Sequence, residues 1–517
     1  MRRPSWSTIF VFAVIAVLLV AINARPGFPD PDSFYHAKIA LMIRDHGFIQ
    51  TFPWLQETVL RDQYVDAHLG YHVVLIPFVT LFDPLVGMKV SAVVFGLIAF
   101  YALYRFLRSI GSPYPEWITL AAAMSTEFLH RMSLPRAPSL SVALLILGVW
   151  AMLNARNKIV FFVAVAFVWY YHGWPVFLSA CLCLMAAELF VRKIAPRASA
   201  FPLLTIVAMV GIGIVVGHAA NPYFPANISF SVLDIFKIGI AGGPNIPVGS
   251  EWSRPDLVRI FVSNLPVVTA FLAAIALFFS ARRSNALELT GHHIRAALTL
   301  TFLSLFFLVF TLKSIRYVEY LIPSIMMATG VILAMAKPFL DNQIIQVKAD
   351  LGRQRWIGRF STQTKVVAGA IGITIIAVVG MREVHYATVK KDVFSQENYQ
   401  GSADWLKRNL KQGDIVFNTA WDSSMIYFYL DDGRYQLVGL DPRFMYDANK
   451  DRYKTWSDLS RGNDTDLTKI RSVFHSSAVL IDKRNPLPIS QNLDASDSYV
   501  KAYEDEWAQI YILKTAI

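Results

Sequence analysis

Charge is scarce in this chain. Only 16% of its 517 residues are Asp, Glu, Lys or Arg while 55% are hydrophobic, against about 25% charged in soluble domains. That deficit excludes an ordinary soluble globular protein, because so much apolar surface has to face lipid. Acidic residues are the scarcer sign, 37 against 48 Lys and Arg for a net charge of +11. A basic balance can mark a nucleic-acid binder, but here the Lys and Arg gather between apolar runs, as in the cytoplasmic loops of membrane proteins. Nucleic acid is therefore not an expected partner. Cysteine is nearly absent: Cys181 and Cys183 sit two apart in an apolar run, where a helix points them to different sides, which excludes a disulfide framework or a thiolate metal pair. Repeats, low-complexity tracts and a nucleotide-binding glycine fingerprint are missing, and His292–His293 lacks the Cys or acid pattern of a zinc site. The N-terminal apolar run is not followed by a small-residue cleavage site and reads as a retained first span.

What is abundant is apolar sequence in pieces of membrane-spanning length. A hydrocarbon core about 30 Å thick needs roughly 20 apolar residues per helix. The stretches 7–23, 86–104, 114–128, 139–153, 159–171, 175–190, 201–220, 260–280, 296–312, 318–336 and 364–381 qualify or nearly so. With the N-terminus inside, alternate connections should be basic. They carry Arg105 and Arg108; Arg156 and Lys158; Arg192, Lys193 and Arg197; Arg282 and Arg283; then Lys337, Lys348, Arg353, Arg355, Arg359 and Lys365. The run 71–82 is too short to span and would invert this pattern if counted, so an interfacial or re-entrant helix is expected there, with about eleven spans in all.

This assignment leaves residues 24–85 and 221–258 as long outer connections and exports everything after 382. The expected domains are 1–382, the membrane part; 383–396, a linker; and 397–517, an extracytoplasmic α/β domain with a largely parallel sheet, since helix-like and strand-like pieces alternate in it. The expected fold class is a polytopic α-helical membrane protein with a C-terminal soluble α/β domain, in the cell membrane.

The sharpest chemical cluster is FPDPDSFYHAKIA, residues 28–40, just after the first span. Asp30 and Asp32 precede a helix whose first turn carries Tyr35 and His36. A carboxylate there can activate an acceptor nucleophile as a base, hold a divalent cation, or cap the helix, the last reading falling on Asp32. WYYHGWP, residues 169–175, reads as an aromatic belt or a sugar-stacking surface.

The segment Asp32 to His36, Asp-x-aromatic-aromatic-His, resembles the first acidic motif of the catalytic subunit of oligosaccharyltransferases, in the GT-C class of polyprenyl-phosphate-dependent glycosyltransferases. Three further segments agree in order. Val248 to Glu251, followed by Pro255, resembles the glutamate motif of the long outer loop. Lys313 to Tyr320, with Arg316 and then Pro323, resembles the arginine-bearing start of a late span. Thr419 to Ser424, with Trp421 and Asp422, resembles the Trp-Trp-Asp-x-Gly acceptor-recognition motif.

The resemblance implies a GT-C-like fold and transfer of a sugar or oligosaccharide from a polyprenyl-phosphate-linked donor to a protein, glycan or lipid acceptor outside the cytoplasm. It implies Asp32, Asp30 and Glu251 as catalytic acids, Arg316 as a donor-phosphate ligand, Trp421 and Asp422 as acceptor contacts, and Asp32 as a ligand of a divalent cation, Mg or Mn. By position, Lys313 one turn from Arg316 reads as a further phosphate ligand, with snorkelling of Arg316 or its structural pairing beside Glu319 as the alternative. Two departures matter. Where the family carries a paired-acid motif, residues 130–141 read HRMSLPRAPSLS with no acid. Glu127 is the only nearby acid, and Arg131 and Arg136 stand where a phosphate could be bound instead. The acceptor motif lacks its first Trp and its Gly. A lipid-linked-glycan transporter or flippase, or a non-catalytic binder, is the alternative; transporters place polar groups near the bilayer midplane, whereas here they gather at the ends of spans.

Overall fold

The structure, a computed structural model, describes residues 5–194, 201–233, 235, 246, 249–343, 345, 394–484 and 486–514. The helices run in order α1 (Trp6–Asn23), α2 (Asp32–His46), α3 (Leu69–Leu81), α4 (Pro84–Ser109), α5 (Pro115–Ala123), α6 (Thr126–Ser133), α7 (Pro138–Leu153) and α8 (Asn157–Tyr171). They continue as α9 (Trp174–Ile194), α10 (Leu203–Ala219), α11 (Ala226–Ser231), α12 (Leu257–Ser263), α13 (Leu265–Arg283), α14 (Gly291–Lys313) and α15 (Val318–Met335). The chain divides into two compact units, one of residues 1–25, 92–217 and 251–390 and the other of residues 26–91, 218–250 and 391–517.

The first unit is a bundle of apolar helices. Among the described residues six helical stretches are long and apolar enough to cross a membrane, or up to seven if the bent pair α6–α7 is one span. The protein is an integral membrane protein. Of the other expected spans, α8 and α10 are shorter apolar helices, and 364–381 lies outside the described residues, as does most of the linker. The stretch 114–128 is not one helix. Ser125 has extended backbone and accepts from Phe128 N with its side chain, which ends α5 and starts α6. A second interruption, holding Pro135 and closed by Pro138 at the start of α7, bends α6 against α7 by 108°, as expected where proline removes backbone donors. Asn23 Nδ2 donates to Ser133 O at 3.1 Å, pinning the end of α6 to α1. Elsewhere the helices approach closely through small residues: a Cβ at Gly213 would lie 2.6 Å from that of Ala164, and one at Gly217 2.9 Å from that of Val168. The run Ile315–Met335 is the most enclosed, with 83% of its apolar stretch buried.

The second unit is built on a five-stranded sheet of β1 (Ile415–Asn418), β2 (Tyr435–Gln436), β3 (Ser476–Asp482), β4 (Tyr499–Glu504) and β5 (Ala508–Leu513), in the order β2-β1-β3-β5-β4. The pairs β1–β2 and β1–β3 are parallel, whereas β3–β5 and β4–β5 are antiparallel. The sheet is thus mixed rather than largely parallel, because the short connection Asp505–Trp507 returns the chain directly beside β4. Asn418 locks the end of β1: its amide donates to Ala420 O and Val438 O and accepts from Leu437 N and Val438 N. The connection after the first span is part of this unit. Phe28 and Phe394 exchange backbone hydrogen bonds at 2.8 Å, and the segment 54–57 runs along β2, with Gln56 N donating to Gln436 O at 2.8 Å and Gln436 N to Trp54 O at 2.9 Å. Helix Ser424–Leu430 packs on α2.

Candidate active site

In the first unit the break between α6 and α7 determines where two arginines sit. Arg131 lies in the last turn of α6 and Arg136 in the break itself. The turn Ser250–Trp252 brings in Glu251, tied by Ser314 Oγ donating to Glu251 O at 2.8 Å and Ile315 N to Ser253 O at 3.1 Å. Arg316 precedes α15 in the short turn Ile315–Tyr317.

Three guanidinium groups converge on the Glu251 carboxylate. Arg131 Nη1 is 2.5 Å and Arg136 Nη1 3.2 Å from Oε2, and Arg316 Nη1 is 3.0 Å from Oε1. Arg131 also donates through Nε and Nη2 to Glu319 Oε2, at 2.9 and 2.7 Å. Glu319 is fully buried, and its Oε1 accepts no hydrogen bond among the described residues. Arg316 lies over the Trp252 ring at 4.5 Å and the Tyr171 ring at 5.5 Å, so two aromatics hold its plane. Burial by itself would raise the Glu251 pKa, but Arg136 and Arg131 outweigh it and hold the carboxyl at about 2. Three cations facing two carboxylates leave an excess of one positive charge in a site shaped for oxyanions. Lys313 is exposed at the end of α14.

In the second unit Asp32 is the first residue of α2 and half-buried. The capping role expected of Asp32 falls on Asp30, whose Oδ1 accepts Asp32 N at 2.9 Å, because Pro31 between them has helical backbone and no N–H to offer. Behind this turn lies a buried chain that sequence reasoning missed. His36 Nδ1 is 2.7 Å from His72 Nε2, and His72 Nδ1 is 2.7 Å from Asp66 Oδ2. The available signal was His68-x-x-x-His72 opening an apolar helix two residues after an Asp. In the same unit Trp421 packs on the sheet core, and Asp422 lies 3.5 Å from Arg484, which is paired with Asp482 at 2.6 Å. Burial raises the Asp422 pKa, with Arg484 opposing it.

A divalent cation needs several oxygen ligands. Among the described residues no group of three His, Cys, Asp or Glu side chains could hold one. Glu251 is enclosed by arginines, and Glu127 accepts from Arg259 Nη2 at 3.0 Å. Of the aromatics at 169–175, Tyr171 faces Arg316 and Trp169 donates to Gly217 O at 2.8 Å.

No family model and no curated protein matches the chain. Solved structures do. The archaeal oligosaccharyltransferase AglB from Archaeoglobus fulgidus, in complex with an inhibitory peptide and a dolichol-phosphate, superposes with a TM-score of 0.60 at 12% identity, over 92% of this chain and 69% of that one. ArnT from Cupriavidus metallidurans bound to undecaprenyl phosphate gives 0.53 at 13% identity over 97% of both chains. The arabinofuranosyltransferase AftD from Mycobacteria gives 0.54 at 13% identity, over 98% of this chain but 40% of its own. At such identities the likeness speaks for the fold, and on that measure the chain has a divergent GT-C fold.

Proposed function

We propose that the protein is a membrane-bound glycosyltransferase that moves a sugar or oligosaccharide from a polyprenyl-phosphate-linked donor to an acceptor on the extracytoplasmic side of the cell membrane. The observation that carries this reading is the convergence of Arg131, Arg136 and Arg316 on one carboxylate. Guanidinium groups that enclose a carboxylate offer the same donors to a phosphate, and such a cluster in a membrane protein suits a phosphate carried on a lipid. Two of the structural neighbours hold dolichol-phosphate and undecaprenyl phosphate, which supports the same donor class.

In the reaction the acceptor's nucleophilic atom forms a bond to the anomeric carbon. The bond from that carbon to the phosphate oxygen breaks with its electron pair going to the phosphate. The arginines stabilise the charge that develops there. Asp32 receives the proton of the acceptor, and Trp421 and Asp422 serve acceptor recognition.

The test is incubation of purified protein with a panel of lipid-linked sugars, followed by measurement of released carrier and glycosylated acceptor. Release supports the transferase. Intact donor carried across liposomes without release would replace it with a flippase.

A further inference from the structure

Arg131 is held from two sides by carboxylates that differ in burial. Its Nε and Nη2, one edge of the guanidinium plane, donate to Glu319 Oε2 at 2.9 and 2.7 Å, while Nη1 lies 2.5 Å from Glu251 Oε2. A guanidinium is rigid and planar, so anchoring one edge also fixes the direction in which the remaining nitrogen points. Glu319 stands in the first turn of α15, within the most enclosed run of the bundle, and its side chain has no exposure. The side chain of Glu251 is 18% exposed on a three-residue turn. Among the described residues Glu319 accepts from Arg131 alone: Arg316, one turn before it, donates Nη1 to Glu251 instead, and Glu319 Oε1 accepts no hydrogen bond.

These differences decide which carboxylate can give way to a ligand. Displacing Glu319 would leave a charge in a dry interior with no other donor among the described residues, the costly outcome of breaking a buried pair. Glu251 loses less, because water reaches its side chain. Three guanidinium groups less the one charge of Glu319 leave two positive charges, near the charge of about −1.5 to −2 on a phosphate monoester at neutral pH. The long Arg131 side chain is then ordered on folding rather than on ligand binding, which takes that entropy loss out of the binding step.

We propose that Glu319 is a positioning residue of the donor site: it holds Arg131 by its Nε–Nη2 edge so that Nη1 is aimed at the place of Glu251 Oε2, and it stays paired when a donor phosphate oxygen takes that place. This rests on the transferase reading. Glu319 touches neither donor nor acceptor and acts only through Arg131. Glu251 and Glu319 therefore bring the same charge to the same cluster but act in opposite senses, one as the phosphate's competitor and the other as the support of its ligand.

Calorimetric titration of the full chain in nanodiscs with farnesyl phosphate, a short polyprenyl phosphate, separates position from charge. Removing a negative charge from the cluster should by itself tighten phosphate binding, and Glu251→Gln is expected to do so. Glu319→Gln should instead weaken it about tenfold, through the loss of an aligned donor to a charged group. Glu319→Asp, which keeps the charge but withdraws the carboxylate by one methylene, should weaken it as well. In turnover assays both Glu319 variants should raise the donor KM with the acceptor KM unchanged. In an Arg131→Met background the added Glu319→Gln should leave the dissociation constant unchanged, because the side chain it acts through is gone. Unfolding midpoints identify the folded variants, and Glu319→Asp decides the matter if Glu319→Gln does not fold. Tighter or unchanged binding in both Glu319 variants overturns the proposal, as does a weakening by Glu319→Gln that persists without Arg131; in either case a wild type that binds farnesyl phosphate keeps its phosphate site. A wild type that neither binds farnesyl phosphate nor releases carrier from a lipid-linked donor removes the transferase reading and the positioning role together.

Discussion

Arg131 Nη1 lies 2.5 Å from Oε2 of Glu251, so the loop glutamate occupies the place an arginine-bound phosphate would take. On the proposed transferase reading, donor phosphate and Glu251 compete for the same guanidinium donors. Glu251→Gln removes the competing charge and should lower the donor KM by about tenfold, or about 1.4 kcal/mol, with kcat retained. Loss of kcat at unchanged KM would assign Glu251 to the chemistry instead. The competition has a pH dependence. The folded pKa of about 2 lies below the ordinary 4.5, so the Glu251 pairing contributes stability above pH 4.5 that is lost as pH falls through about 2. Thermal unfolding across that window should show a decline that is smaller in Glu251→Gln.

Glu319 depends on Arg131 more completely than Glu251 does. Its only hydrogen bonds among the described residues come from Arg131, and it is fully buried. Arg131→Met leaves that carboxylate buried without its hydrogen-bonding partner and should cost about 3–5 kcal/mol of stability, the usual consequence of removing one member of a buried pair. Adding Glu319→Gln should restore much of the loss. Equal unfolding midpoints for the single and double variants would show that the pair is not the source of the effect.

Asp32→Asn should abolish turnover, by about a hundredfold or more, without a change in unfolding midpoint. The acceptor for the backbone N–H of residue 32 is Asp30, so an amide at position 32 leaves that contact in place. Full activity in the variant would remove Asp32 from the chemistry.

The sequence was legible where composition and periodicity act locally. The apolar helices and the α/β character of the last domain follow from their patterns, and the GT-C fold was carried by four short motifs. The sequence did not disclose that α5 and α6 are separate helices within 114–128, because apolar content hides a break made at Ser125. Strand β4 was missed because its burial does not alternate: after the buried Tyr499 the next four residues are all half-buried and Glu504 is exposed. The site was legible as residue types, not as pairings. Arg136 and Arg316 were candidates for phosphate binding and Glu251 for catalysis, and their meeting depends on contacts between distant positions, 115 apart for Arg136 and Glu251. Asp66 and His72 were signalled only by His68-x-x-x-His72 opening an apolar helix two residues after an Asp, and a histidine there acquires meaning only when a partner faces it.

Topology is open to direct test. The distribution of Lys and Arg predicts that residues 24–85, 221–258 and 383–517 share the outer side. Single cysteines at Ser250 and Asn463, introduced after replacing Cys181 and Cys183, should both react with a membrane-impermeant reagent added outside. Labelling of either position only after the membrane is opened would contradict the assignment.

Metal dependence is where the resemblance and the residues part. A divalent cation beside a transferring phosphate requires several oxygen ligands, usually including one or two carboxylates. The family's paired-acid segment corresponds here to residues 130–141, which carry Arg131 and Arg136 and no acid. Glu251 is taken by three arginines, and Asp30 uses one oxygen on the backbone of residue 32. A divalent cation brought within about 5 Å of one of these guanidinium groups would meet repulsion of several kcal/mol from it at an effective dielectric near 20. Turnover should therefore survive a strong chelator, while Arg136→Ala should raise the donor KM about tenfold by removing one of the phosphate's donors. Complete loss of activity on chelation, restored by manganese or magnesium and indifferent to Arg136→Ala, would show that a metal performs the task assigned here to the guanidinium groups.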